Sequence, residues 1–157
     1  MLNIRLVCVG NIKEKYYTDA INEYSKRLSA FCKLEIIELK EYKLIKENTE
    51  EINLAKSTEG KLIEKEMKGY TICLEIAGKR YDSVSLAQHI DKLATTGNSV
   101  ITFVIGGSHG IDKCVSDKAN EKLSFSDFTF PHQLMRVVLL EQIYRSFTII
   151  NGKNYHK

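Results

Sequence analysis

Two stretches of this chain combine residue types at spacings that could do chemistry. The first is Gly106-Gly107-Ser108-His109-Gly110, which interrupts the apolar, β-branched run at 99–105 and so reads as a glycine turn closing a buried strand. Residues 123–130 read as another strand, and Pro131 then opens a long apolar helix, since proline suits a first helical position. Ligands in open α/β sheets bind outside the carboxyl ends of strands, so these two strand ends are the first place to expect a site. The glycines serve equally a turn that needs positive φ and the close approach of bare backbone to a flat ligand. The second stretch is Tyr155-His156-Lys157, which follows a turn at Asn151-Gly152 and joins an aromatic ring, a titratable ring and a cation. That mixture suits a nucleotide, and Arg145 lies close by in sequence. A frayed, solvated end is the competing reading. Glu141 and Arg145, four apart, read first as an ion pair on a helix surface.

Other chemistries find no anchor. The glycine turn is not a G-x-G-x-x-G fingerprint, and no G-K-[ST] is present to hold nucleotide phosphates. His89, His109, His132 and His156 have no i, i+4 partner and no E-x-x-H neighbour, so no metal is expected. There is no G-x-S-x-G elbow, and no cysteine sits in a local nucleophile signature. Cys8, Cys32, Cys73 and Cys114 are far apart and are expected as free thiols.

The elements that must position these residues alternate. Leu2, Ile4 and Leu6 alternate in a first strand over 2–9, ended by Gly10-Asn11. Ala20, Ile21, Tyr24, Leu28 and Phe31 recur as an amphipathic stripe, and 34–39 returns to strand character. After a charged connection, Asn48 or Thr49 caps a helix that buries Ile52, Ala55, Leu62, Ile63 and Met67, with Gly60 an irregularity inside it. A third strand over 70–76 ends at Ala77-Gly78, and Ser85 with Gln88 fits a capping box before Ile90 and Leu93. Strands separated by helices imply an α/β fold, a mostly parallel sheet with helices on both faces. The helix over 132–147 is apolar nearly all round, at Leu134, Met135, Val137, Val138, Leu139, Leu140, Ile143 and Tyr144. It needs cover on more than one side, which predicts a homodimer with this helix in the interface.

At 157 residues, 43% aliphatic and aromatic and 27% charged, the chain is expected to be one domain over 1–157. No apolar run reaches a membrane span, and the first residues enter a strand directly, so the expected location is cytoplasmic, with no membrane. The net charge is +3, and residues 131–157 alone carry four cations (Arg136, Arg145, Lys153, Lys157) against one acid, Glu141. A solvated tail explains that bias, and so does a polyanionic partner such as RNA.

Several blocks together resemble one family. They are Leu74-Glu75-Ile76-Ala77-Gly78-Lys79, Phe103-Val104-Ile105-Gly106-Gly107-Ser108-His109-Gly110, Ser124-Phe125-Ser126-Asp127-Phe128-Thr129-Phe130-Pro131-His132-Gln133-Leu134-x-Arg136, Glu141-Gln142-Ile143-Tyr144-Arg145 and Tyr155-His156-Lys157. With the opening Val7-Cys8-Val9-Gly10 and the overall length, they look like the signature of the ribosomal RNA large-subunit methyltransferase H family. The resemblance implies a SPOUT-class fold with a C-terminal trefoil knot, acting as a homodimer. It also implies S-adenosylmethionine as cofactor and methylation of N3 of a pseudouridine in 23S ribosomal RNA within the ribosome. Carried over, the cofactor-binding residues are Leu74, Gly106, Phe125, Ser126, Asp127, Phe128, Thr129 and Phe130, while Arg145, Tyr155 and His156 are the catalytic candidates. Asn154 stands where the family usually has proline, which leaves the tail less preorganised. Two rivals stay open at this point: a non-enzymatic RNA-binding or ribosome-assembly factor, and a SPOUT methyltransferase acting on transfer RNA.

Overall fold

The computed structural model describes all 157 residues, Met1–Lys157. Five strands form one sheet in the order β2-β1-β4-β3-β5, every neighbouring pair parallel. In chain order the elements are β1 (Asn3–Val9), α1 (Lys15–Leu28), β2 (Lys33–Leu39), α2 (Thr49–Glu66), β3 (Tyr70–Arg80), α3 (Ser83–Thr95), β4 (Val100–Ile105), α4 (Lys113–Lys118), β5 (Glu121–Ser124) and α5 (His132–Ile150). The alternation of β1 explains how the sheet is covered. Ile4, Leu6 and Cys8 face the larger core with Ile21 and Leu28 of α1, Leu86 and Ile90 of α3 and Leu139 and Ile143 of α5. Val7 and Val9 face the smaller core, with Ile63 of α2 and Val115 of α4. Helices therefore lie on both faces, as expected for parallel strands.

Local chemistry accounts for the helix starts. Asn48 caps α2, its side-chain oxygen accepting the Glu51 amide at 2.9 Å, as the sequence predicts. The capping box of α3 lies earlier than Ser85 and Gln88: Asp82 accepts the Ser85 amide at 2.7 Å, and Ser85 Oγ accepts the Asp82 amide at 3.1 Å. Aspartate in front of a serine three residues on satisfies both amides, so Gln88 is not needed. Phe31 lies beyond the end of α1 and stacks on Phe147 at 5.8 Å between centroids. Pro131 is the N-cap of α5 and not its first residue; its carbonyl accepts the Met135 amide at 2.9 Å.

Two strand boundaries differ from the sequence reading, and both shape the cavity below. β3 does not end at Ala77-Gly78 but runs to Arg80, because Leu74 and Lys79 both pair with Leu123 across a bulge. Gly78 marks a close approach there: a Cβ would lie 2.6 Å from the carbonyl carbon of Lys122. The strand expected over 123–130 ends at Ser124. No helix is long and apolar enough to cross a membrane.

Candidate functional site

A cavity of about 810 Å³ opens at the carboxyl ends of β3, β4 and β5, within the ~300–1,000 Å³ typical of small-molecule sites. Most of its wall comes from three segments, Leu74 to Ala77 at the bulge of β3, Ile105 to Ile111 around the glycine turn, and Leu123 to His132 after β5 begins to leave the sheet, with Lys56 of α2 and Met135 of α5 completing it. Of the residues carried over to the cofactor, Leu74, Gly106, Phe125, Ser126, Phe128, Thr129 and Phe130 line it. Asp127 does not, and its carboxylate is paired instead with Arg80. Phe128, 80% exposed, stands at the lip.

The third wall is open backbone. Between Phe125 and Phe130 no backbone group bonds to another, and the Phe128 amide, donating to Ser126 Oγ at 2.8 Å, is the only one of these amides with a partner in the chain. A segment that left the ladder at Ser124 thus offers donors and acceptors to a small molecule, beside apolar walls.

The glycine turn is tight for a reason other than backbone sign. Only Gly110 of its three glycines has positive φ, at 88°. Gly106 is required by proximity, since a Cβ there would lie 2.7 Å from Ile111 Cγ1 and 2.9 Å from the Gly110 carbonyl carbon. Behind the turn stands α2, whose Lys56 lines the cavity and whose Glu59 is 6% exposed. Glu59 Oε2 accepts the Tyr42 amide at 3.0 Å, and its carboxylate borders Gly107. Neither Lys56 nor Glu59 carries a signal in the sequence, because helix α2 reads there only as a polar face.

Burial pushes the Glu59 carboxyl up, nearby Glu41 adds to that, and the Tyr42 amide and His109 oppose it. A carboxyl raised in the folded state favours folding less once it is ionised in both states. Glu59→Gln, which keeps an acceptor for the Tyr42 amide, is therefore expected to raise the melting midpoint at pH 7. The gain should fade as pH falls below the ordinary glutamate range, where both states are protonated; a midpoint lowered at pH 7 would refute this. His132, also on the cavity wall, is held below the ordinary imidazole range by burial and then by Arg136.

The C-terminal charges are not the free basic surface that composition suggested. Arg136 is 1% exposed; it donates to Glu38 at 2.8 Å and to the carbonyls of Val9 and Gly10 at 3.0 and 2.7 Å. It ties the start of α5 to the end of β1. Lys153 lies over the Phe31 ring at 4.5 Å. Burial pushes the thiols of Cys8, Cys32 and Cys73 up to about 12, which makes them poor nucleophiles. No three His, Cys, Asp or Glu side chains are grouped to hold a metal.

The tail is not frayed. After α5, the amides of Asn151, Gly152 and Lys153 donate to the carbonyls of Phe147, Ile149 and Thr148 at 3.0, 3.0 and 2.8 Å, which turns the chain back. Tyr155 then donates to Glu141 at 3.0 Å, packs edge-on to Tyr144 at 4.9 Å and carries the Arg145 guanidinium 4.7 Å from its centroid. Arg145 donates to the same Glu141 at 2.7 Å and lies 3.3 Å from Nδ1 of His156. Glu141 thus gathers Arg145 and Tyr155, and Arg145 in turn holds His156. Burial pushes the Tyr155 phenol up and the bond to Glu141 adds to it, so the phenol is protonated at neutral pH. Met135 is the last α5 residue on the cavity wall, and Arg145 stands ten residues further along the helix. That is roughly 15 Å at 1.5 Å per residue, so Arg145 stands apart from its own protomer's cavity.

The family model described as "Predicted SPOUT methyltransferase" matches residues 2–156, and the chain belongs to that family of methyltransferases. Within it the chain sits among the H-type ribosomal RNA enzymes. The Ribosomal RNA large subunit methyltransferase H of Clostridium beijerinckii is 50% identical over 159 residues, covering 99% of this chain and 100% of that protein. A Methanococcus vannielii protein given the same name provisionally is 54% identical over 160 residues, covering 99% of this chain and 100% of its own. A Legionella pneumophila protein provisionally named a methyltransferase, solved with bound cofactor SAM, superimposes with a TM-score of 0.51 at 13% identity, over 92% of this chain and 66% of that one. At that identity the likeness is one of fold.

Proposed function

We propose that this protein transfers a methyl group from S-adenosylmethionine to N3 of a pseudouridine in the 23S ribosomal RNA of the large subunit, as a homodimer in the cytoplasm. The observation that carries the reading is the cavity at three strand ends, walled by open backbone and apolar side chains. S-adenosylmethionine has a flat adenine and a ribose but no phosphate, which fits such walls better than a phosphate-binding loop would. Leu74, Phe125 and Phe130 pack against the adenosine, Gly106 lets the turn close on it, and the amides and carbonyls of 125–130 take its polar edges. Asp127 contributes its backbone while its side chain holds Arg80. When bound, the cofactor supplies a methyl on a sulfonium, displaced in line, for which orientation matters most and no metal is needed.

Arg145, Tyr155 and His156 act on the RNA. Loss of the N3 proton leaves negative charge on the flanking carbonyl oxygens of the base, and the Arg145 guanidinium, fixed by Glu141, is a preorganised cation to receive it. Tyr155, protonated, positions the base and does not deprotonate it. The separation of this group from its own protomer's cavity supports a shared site, in which it serves the cavity of a second copy. The half-buried Leu134, Val137 and Val138 of α5 supply the apolar part of that interface. Sedimentation at micromolar concentration should give a dimer; a monomer would remove the shared site. The reading includes a trefoil knot in the C-terminal part of the chain.

Transfer of labelled methyl from S-adenosylmethionine tests the substrate class. Purified ribosomes should be labelled and bulk transfer RNA should not, and the reverse would favour a transfer RNA enzyme.

A further inference from the structure

We propose that Lys56 binds the methionyl carboxylate of S-adenosylmethionine, making it the charge-reading residue of the cavity. The inference rests on the cofactor reading above and adds a residue to it. Lys56 is the only lysine or arginine among the lining residues, and Glu75 the only aspartate or glutamate. Glu75 is already engaged, accepting Ser116 Oγ at 2.7 Å. Arg80, Lys118 and Arg136 are each committed to a carboxylate, Arg80 to Asp127, Lys118 to Glu64 and Arg136 to Glu38. Lys56 alone is half-buried at the cavity wall with no hydrogen bond or ion pair in the chain.

Glu59, one turn further along α2, does not neutralise it. Its Oε2 is turned to the Tyr42 amide and its carboxylate to Gly107, and no ion pair joins it to Lys56. The same helix is fixed against the glycine turn by Glu59 and against the start of α4 by Gly60, where a Cβ would lie 3.0 Å from Asp112 Cβ. The helix that carries Lys56 is therefore fixed beside the cavity. An unpaired ammonium beside apolar walls gains most from an anion that arrives with the ligand. Adenine and ribose offer none, and the methionyl carboxylate is the one anionic group of the cofactor.

The test is calorimetry on the full chain with two ligands that differ by that carboxylate alone, S-adenosylmethionine and its decarboxylated form. Wild type should prefer S-adenosylmethionine by about tenfold, the scale of one charge-assisted contact, or about 1.4 kcal/mol. Lys56→Met, which keeps the stem and removes the charge, should weaken S-adenosylmethionine by that factor, leave the decarboxylated ligand unchanged or tighter, and erase the preference. Lys56→Arg should restore most of it. Unchanged S-adenosylmethionine affinity in Lys56→Met, or an equal loss for both ligands, overturns the assignment while leaving the cofactor reading intact. A wild type that binds neither ligand refutes the cofactor reading itself.

Discussion

Gly106→Val is expected to lower S-adenosylmethionine affinity at least about 100-fold while the protein remains folded, the scale of a binding site whose wall is displaced. Gly106 directly follows the last residue of β4, and a Cβ there would meet Ile111 Cγ1 at 2.7 Å and the Gly110 carbonyl carbon at 2.9 Å. The isoleucine can rotate, but the Gly110 backbone cannot yield without opening the bridge that pairs Gly107 with Gly110. Both flanking segments line the cavity, so the strain is relieved at the expense of the binding surface. Overpacking of this kind costs about 1–3 kcal/mol, which for a chain of this size lowers the melting midpoint by only a few degrees per kcal/mol. Calorimetry reads the loss, and circular dichroism confirms the fold. Gly106→Ala, with the smaller intrusion, should fall between wild type and valine. Full affinity in the valine variant would remove Gly106 from the site.

Deleting Tyr155, His156 and Lys157 is expected to reduce methyl transfer to ribosomes at least about 100-fold and to leave S-adenosylmethionine affinity within about twofold, since the tail supplies no wall of the cavity and two changes without shared partners act nearly independently. The deletion removes the Tyr155 bond to Glu141, its packing on Tyr144 and the His156 contact to Arg145. It leaves the Arg145–Glu141 pair, at 2.7 Å, in place. The cavity loses no wall residue. Sedimentation should be unchanged. Normal transfer by the truncated protein would make the tail a packed terminus and nothing more, and a failure to dimerise would make its role structural.

The periodic parts of this fold were legible in the sequence because periodicity reports burial directly. β1 and α1 follow alternations or stripes that one face of a strand or helix must bury, and β4 and α5 follow apolar runs that must be covered on more than one side. The bulge of β3 was not legible: Ala77-Gly78 looks locally like a turn, whereas Gly78 is there because Lys122 of β5 passes within 2.6 Å of where a Cβ would stand. That is a long-range demand with no local signature. The aromatics at Phe125, Phe128 and Phe130 mimic a strand, yet the ladder stops at Ser124, and a chain without a ladder partner cannot continue as one. The cavity opens beside the glycine turn that the sequence marks, because a glycine cluster after an apolar run signals a turn wherever it occurs. Lys56 and Glu59 were invisible for the opposite reason: on a polar helix face nothing distinguishes a lysine at a cavity from one in water. Arg136 looked like surface charge and proved to be an internal tie between α5 and β1.

The central claim is tested most directly by nucleoside analysis of 23S ribosomal RNA after large-subunit-containing ribosomes that lack the modification are incubated with this protein and S-adenosylmethionine. The account predicts one new product, a pseudouridine carrying a single methyl on N3, formed at one position and absent when the cofactor is withheld. Methylation of another base, of another atom of the pseudouridine, or of no nucleoside in the large-subunit RNA would contradict it.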